Sequence, residues 1–208
     1  MSLKLFDVAN FITICLSCIL VVLSVVNAFL LRTRSRDFRV LAIYIIACCA
    51  FDLASWGLSL SGTENIVMLP LFNAVELLLF CLFFSRQLQS RLPYLLLAGG
   101  LLTGTYDLLH SLKEAAEYIN LGRAYNAVGI ISMVFVQMFR NVGRNTRLAR
   151  LHYGMIFYFS VTFVHFLMLN FLITVPSELK FVFWMIYAVS CAVFYCMITL
   201  FLWKNRLS

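Results

Sequence analysis

The sequence predicts an all-α polytopic membrane protein: one seven-transmembrane-helix bundle spanning residues 1–208, with its N-terminus outside and its C-terminus inside. Three observations predict this class. The chain is 63% hydrophobic and only 12% charged, whereas soluble domains are about half apolar and a quarter charged, so the excess has to face lipid. The apolar residues fall into seven runs, each near the roughly twenty residues a helix needs to cross the hydrocarbon core. The basic residues concentrate in alternate connections, as the positive-inside rule requires.

The first run covers residues 11–31 and is followed at once by Arg32, Arg34, Arg36 and Arg39. A secretory signal carries its charge before a short apolar region. This segment has the reverse order and reads as a retained first helix. The second run, 39–60, ends at the polar turn Ser61-Gly62-Thr63-Glu64-Asn65, and the third, 66–84, ends in a basic segment from Arg86 to Pro93. The fourth run, 93–112, leads into the longest polar stretch, His110 to Asn120, with a short surface helix expected through Lys113-Glu114-Ala115-Ala116-Glu117. The fifth, 121–139, is followed by a basic loop from Arg140 to Arg150. The sixth covers 153–174, and Ser177 is the expected N-cap of the seventh, 180–203. Linkers, low-complexity segments and a convincing three-helix repeat are all missing. Only Lys204-Asn205-Arg206-Leu207-Ser208 follows the last run, so no attached output domain is expected.

Charge supports this course independently. With the N-terminus outside, the inside segments hold twelve of the sixteen basic residues. The other four, Lys4, Lys113, Arg123 and Lys180, are assigned to the outside with Asp7, Glu64, Glu114, Glu117 and Glu178, while Asp37 is the one acid inside. The net charge of +7 therefore reflects topology and does not indicate nucleic acid. The seven cysteines (15, 18, 48, 49, 81, 191 and 196) all lie in apolar runs, which argues against a disulfide framework. The Cys15-x-x-Cys18 pair reads as small packing residues.

The stretch Leu69 to Phe84 is apolar enough to cross a bilayer yet carries Asn73 and Glu76. Spaced three apart, they share a helix face. A carboxylate at this depth costs several kcal/mol, of order 3, unless it faces protein or water, so another group must face Glu76. Asp52 and Asp107 also fall inside runs, in the outer third. Asn126, His165 and Asn170 lie in the outer half, with His110 at its boundary, whereas the inner half offers little beyond Gln137. Thr103, Asp107 and His110 line one face of the fourth helix, Cys48, Asp52, Ser55 and Ser59 one face of the second. Trp184, Tyr187, Cys191 and Tyr195 line the seventh. The asymmetry predicts a ligand-binding pocket open to the outside, with Asn73 and Glu76 as floor and Asp52, Asp107, His165, Trp184 and Tyr187 as walls. The plainer reading makes the acids interhelical hydrogen-bonding groups and the aromatic stripe core.

These residues weigh against several seven-helix functions. A retinal Schiff base needs a lysine within the last span, and Lys180 and Lys204 only flank it, so no retinal is expected. Catalytic zinc needs about three protein ligands. The chain has His110, His152 and His165 and no HxxxH pair, so no metal, other cofactor or catalytic set is assigned. An intramembrane lipid hydrolase built from Asp107, His110 and His165 remains the first alternative. A small transporter or channel is the second, although Pro70, Pro93 and Pro176 lie near span ends rather than at central breaks. Gly99, Gly100 and Gly104 read as close helix packing.

The run Arg36-Asp37-Phe38-Arg39-Val40-Leu41 entering the second helix, the small turn at Gly62 and the exit Phe83-Phe84-Ser85-Arg86-Gln87-Leu88 complete a layout of about 200 residues. That layout resembles the seven-helix sensory regions of bacterial signalling proteins. The resemblance implies a sensor in the inner or plasma membrane. Because the chain ends after the seventh helix, its signal would pass to a separate protein at the basic loops Arg32–Arg39 and Arg140–Arg150. Those loops could equally hold anionic lipid headgroups, the bilayer itself being the one partner the composition requires.

Overall fold

The computed structural model describes the backbone of residues 4–33, 36–62, 68–113, 121–141, 146–174 and 178–205. Among them stand seven α-helices and no strand: α1 (Leu5–Leu30), α2 (Arg36–Leu60), α3 (Met68–Leu88), α4 (Leu92–Lys113), α5 (Leu121–Arg140), α6 (Thr146–Thr174) and α7 (Leu179–Lys204). Each apolar run coincides with a helix. The largest differences are at α1 and α6, which begin at Leu5 and Thr146 rather than at 11 and 153. Hydropathy marks the length of helix in hydrocarbon, while the hydrogen-bond ladder continues through the charged turns in the interface. The expected surface helix beyond Lys113 and the Ser177 cap lie outside the described residues. Glu178, the residue before α7, makes no side-chain cap hydrogen bond.

Six of the helices are long and apolar enough to cross a bilayer, which makes this a multi-pass membrane protein. The exception is α5. Its buried residues include Gly122, Arg123, Asn126, Ala127, Ile130, Met133, Val134 and Gln137, a stripe at helical spacing. Arg123, Asn126 and Gln137 therefore point into the bundle, and they lower the hydropathy of α5 without being exposed.

Consecutive helices pack on one another, and α7 closes the circuit against α1. Further contacts of α3 with α5 and of α2 with α7 draw those helices inward, and α1 and α4, the least buried of the six apolar helices, form the outer rim. The directions follow from the contacts. Phe6 meets Phe181, Trp184 Nε1 donates to Thr13 Oγ1, and Asn27 Nδ2 donates to Thr199 Oγ1 at 2.8 Å, so α1 and α7 run parallel. Phe51 against Phe72 and Tyr44 against Phe80 make α2 and α3 antiparallel. Similar registers at Gly122–Asp107 and Phe166–Tyr187 set α4 against α5 and α6 against α7. The bundle is up-and-down throughout.

Two of the three α4 glycines expected to serve close packing, Gly99 and Gly100, do so, whereas a Cβ at Gly104 would meet nothing within 4 Å. A Cβ at Gly99 would strike Tyr125, and one at Gly100 would strike Leu77. On the facing side, a Cβ at Gly122 would meet Asp107 Oδ2 at 3.0 Å and Gly104 Cα at 3.3 Å. Between α3 and α4 the chain reverses through Gln89, whose φ of 45° is left-handed. Arg140 donates from its guanidinium to the Leu88 carbonyl and so closes the C-terminal turn of α3 instead of standing in the loop. All seven cysteines are free thiols.

Candidate buried polar site

Glu76 is wholly enclosed, and the group facing it is Arg123. The sequence reading assigned Arg123 to the outside loops, and the structure corrects that assignment. Arg123 lies in the first turn of α5, where an arginine side chain ordinarily reaches outward to water. This one points into the bundle and is 1% exposed. Its Nη1 donates to Glu76 Oε2 and, at 3.3 Å, to Asn73 Oδ1. Its Nη2 donates to Tyr158 Oη at 3.3 Å and Tyr187 Oη at 3.5 Å. The guanidinium also lies 5.2 Å from the Phe72 ring centroid and 5.5 Å from that of Phe166, contacts that favour a cation. Tyr44 Oη donates to the other carboxylate oxygen of Glu76 at 2.9 Å. Side chains of α2, α3, α5, α6 and α7 thus converge on one ion pair.

The two i, i+3 pairs of α3 and α5 interlock. Asn126 Nδ2 donates to the Asn73 backbone carbonyl at 2.7 Å, while Arg123 reaches Asn73 and Glu76. Asp107 of α4 steadies this arrangement from behind. Its Oδ2 accepts the backbone N–H of Gly122 at 2.6 Å, placing a carboxylate at the N-terminus of α5, where the unpaired N–H groups and helix dipole favour it. Asp107 therefore fixes the residue next to Arg123.

The surroundings differ on the two sides of the pair. Toward the start of α6 lies an aromatic block. Tyr158 stacks on Phe194 at 4.2 Å, and Phe80 meets Phe159 and Tyr44 edge-on. Toward the end of α6 the groups are polar and under-satisfied. Thr162 and His165 follow Tyr158 along the same side of the helix, and His165 stacks on Tyr187 at 4.5 Å with Trp184 nearby. His165 is 3% exposed, yet neither ring nitrogen has a hydrogen-bond partner among the described residues. The same holds for Thr162 Oγ1, Asn73 Nδ2 and Arg123 Nε. Buried polar atoms without partners each cost roughly 1–3 kcal/mol, so their clustering on one side of an ion pair calls for a functional reason.

Of the sequence-derived candidates, Asn73, Glu76, His165 and Tyr187 come together around Arg123, while Trp184 is exposed, borders only His165 and Tyr187 of these and donates to Thr13 of α1. Asp107 joins through the backbone at Gly122. Asp52 does not join: it is half-buried beside Ser17 and Cys49 at the α1–α2 seam. α4 packs only on α3 and α5 among the described residues, so Asp107 shares no interface with His165. The side chains of His110 and Asn170 lie outside the described residues, within which no three His, Cys, Asp or Glu groups could hold a metal ion. Arg123, Tyr44 and Tyr158 were missed from sequence. The available signal was the position of Arg123 inside the 121–139 run, three residues before Asn126, which mirrors Asn73 and Glu76. Comparison with protein-family models, with curated proteins and with solved structures finds no match for the chain.

Proposed function

We propose that the protein is a membrane sensor or receptor-like module in which a small polar ligand entering from outside acts on the Glu76–Arg123 pair. The observation that carries this reading is the group of atoms on His165, Thr162, Asn73 and Arg123 that have no partner among the described residues, beside an ion pair at which side chains of five helices meet. A ligand offering hydrogen bonds there would compete for Arg123, and any shift of Arg123 alters the packing of every helix it joins. Such a buried, multiply held pair is a suitable two-state element.

All seven helices span the membrane in this proposal, α5 included, since it runs parallel to α3 over the same depth. The orientation is N-out and C-in, in an inner or plasma membrane. With Arg123 removed from the outside tally, only Lys4, Lys113 and Lys180 remain there against twelve inside, which strengthens the charge argument. The signal leaves through a protein partner at the basic loops Arg32–Arg39 and Arg140–Arg150.

The test is gentle extraction with chemical crosslinking, followed by identification of bound small molecules and proteins, for the native chain and for Glu76→Gln. The proposal expects a reproducible companion whose recovery changes in the variant. A chain recovered alone in both forms, with unchanged proteolytic accessibility of its basic loops, would overturn it.

A further inference from the structure

A second feature lies at the opposite end of the bundle, where α6 begins and α7 ends. A cavity of about 800 Å³ opens between these two helices, within the range of about 300–1,000 Å³ usual for small-molecule sites. Its walls are apolar along α7, including Val193, Met197 and Leu200, and its mouth carries Arg150 and Lys204. Val193 and Leu200 are more than half exposed, so the groove faces the membrane and not the bundle core. From Val193 to Lys204 the helix rises about 16 Å at 1.5 Å per residue. That matches one leaflet, half of the roughly 30 Å hydrocarbon core. The cations stand at the level where the apolar walls end, beside the N-terminal turns of α6, whose dipole also favours an anion.

We propose that this groove binds one anionic glycerophospholipid, with an acyl chain along Val193, Met197 and Leu200 and the headgroup phosphate between Arg150 and Lys204. The occupant has to be amphipathic because the groove is: a free phosphate leaves the apolar wall uncovered, and a zwitterionic lipid gains less from two cations. The site is separate from the Glu76 cluster and stands whatever that cluster does.

The test uses the full chain reconstituted in vesicles of equal phosphatidylglycerol and phosphatidylcholine, extracted gently and weighed by native mass spectrometry. The expected result is one retained phosphatidylglycerol per chain. Each basic side chain near a membrane surface strengthens such attraction about fivefold, so Arg150→Gln with Lys204→Gln should reduce retention about 25-fold. Val193→Trp, which fills the groove without altering charge, should also abolish it. Arg32→Gln with Arg91→Gln removes equal charge elsewhere at this end and should leave it intact. Equal retention of both lipids overturns the proposal, as does equal loss in the Arg32/Arg91 variant. Two other results do so too: release by inorganic phosphate alone, or a lipid-free dimer that Val193→Trp dissociates.

Discussion

Arg123→Met removes the partner on which the buried Glu76 carboxylate depends. What remains among the described residues is one hydrogen bond from Tyr44, while Asn73, Tyr158 and Tyr187 lose the donor they share. Breaking a buried pair from one side costs roughly 3–5 kcal/mol, because the surviving charge stays desolvated. Glu76→Met should cost a similar amount, since it leaves the guanidinium held only by neutral oxygens and the Phe72 and Phe166 faces. Removing both charges is different. An apolar replacement of a buried pair is often neutral, so the Glu76→Met, Arg123→Met double variant should fall within about 1 kcal/mol of the parent. The cysteines provide the assay. Cys48, Cys81 and Cys191 are buried free thiols, so a thiol-reactive fluorophore reports unfolding on heating. By the scaling for chains of this size, each single variant should lower Tm by about 6–20 °C and the double by far less. A double loss equal to the sum of the singles would refute the coupling and, with it, the pair as the centre of the bundle.

Other expectations use the same readout. Gly122→Ala should lose about 1–3 kcal/mol by overpacking, because its Cβ meets Asp107 and the Gly104 backbone. Gly104→Ala meets nothing within 4 Å and should hold or gain stability, by up to about 1 kcal/mol from helix propensity. Thr199→Val removes the hydroxyl that accepts from Asn27 and should cost about 0.6 kcal/mol, the usual worth of an interhelical bond in membranes. His165→Phe keeps the ring on Tyr187 and removes two unpartnered nitrogens. Its stability should stay within about 1 kcal/mol of the parent, whereas companion recovery in the extraction assay should fall. Retained recovery would remove His165 from the site.

Much of the architecture is legible in the sequence. Runs of apolar residues reveal helices because a backbone in hydrocarbon must satisfy its hydrogen bonds internally, and this leaves a signal in every segment. Glu76 was equally legible as a carboxylate needing company, and Asn73 as its neighbour on one helix, since i, i+3 spacing is a local property. Gly99 and Gly100 likewise declared close packing, whereas Gly104 has open space where its Cβ would stand. The helix ends at α1 and α6 were less legible, because hydropathy follows the solvent and not the backbone.

Composition and spacing along the chain determined the helices, the membrane class and the presence of an acid that could not face lipid. The tertiary structure decided which cation answers it, that Asp107 holds α5 and that Asp52 stands apart. Glu76 and Arg123 are 47 residues apart, and nothing local distinguishes an arginine that turns inward from one that reaches for water. That choice depends on side chains from five helices meeting at one depth, where a guanidinium finds a carboxylate, two phenols and two ring faces in place of its hydration shell.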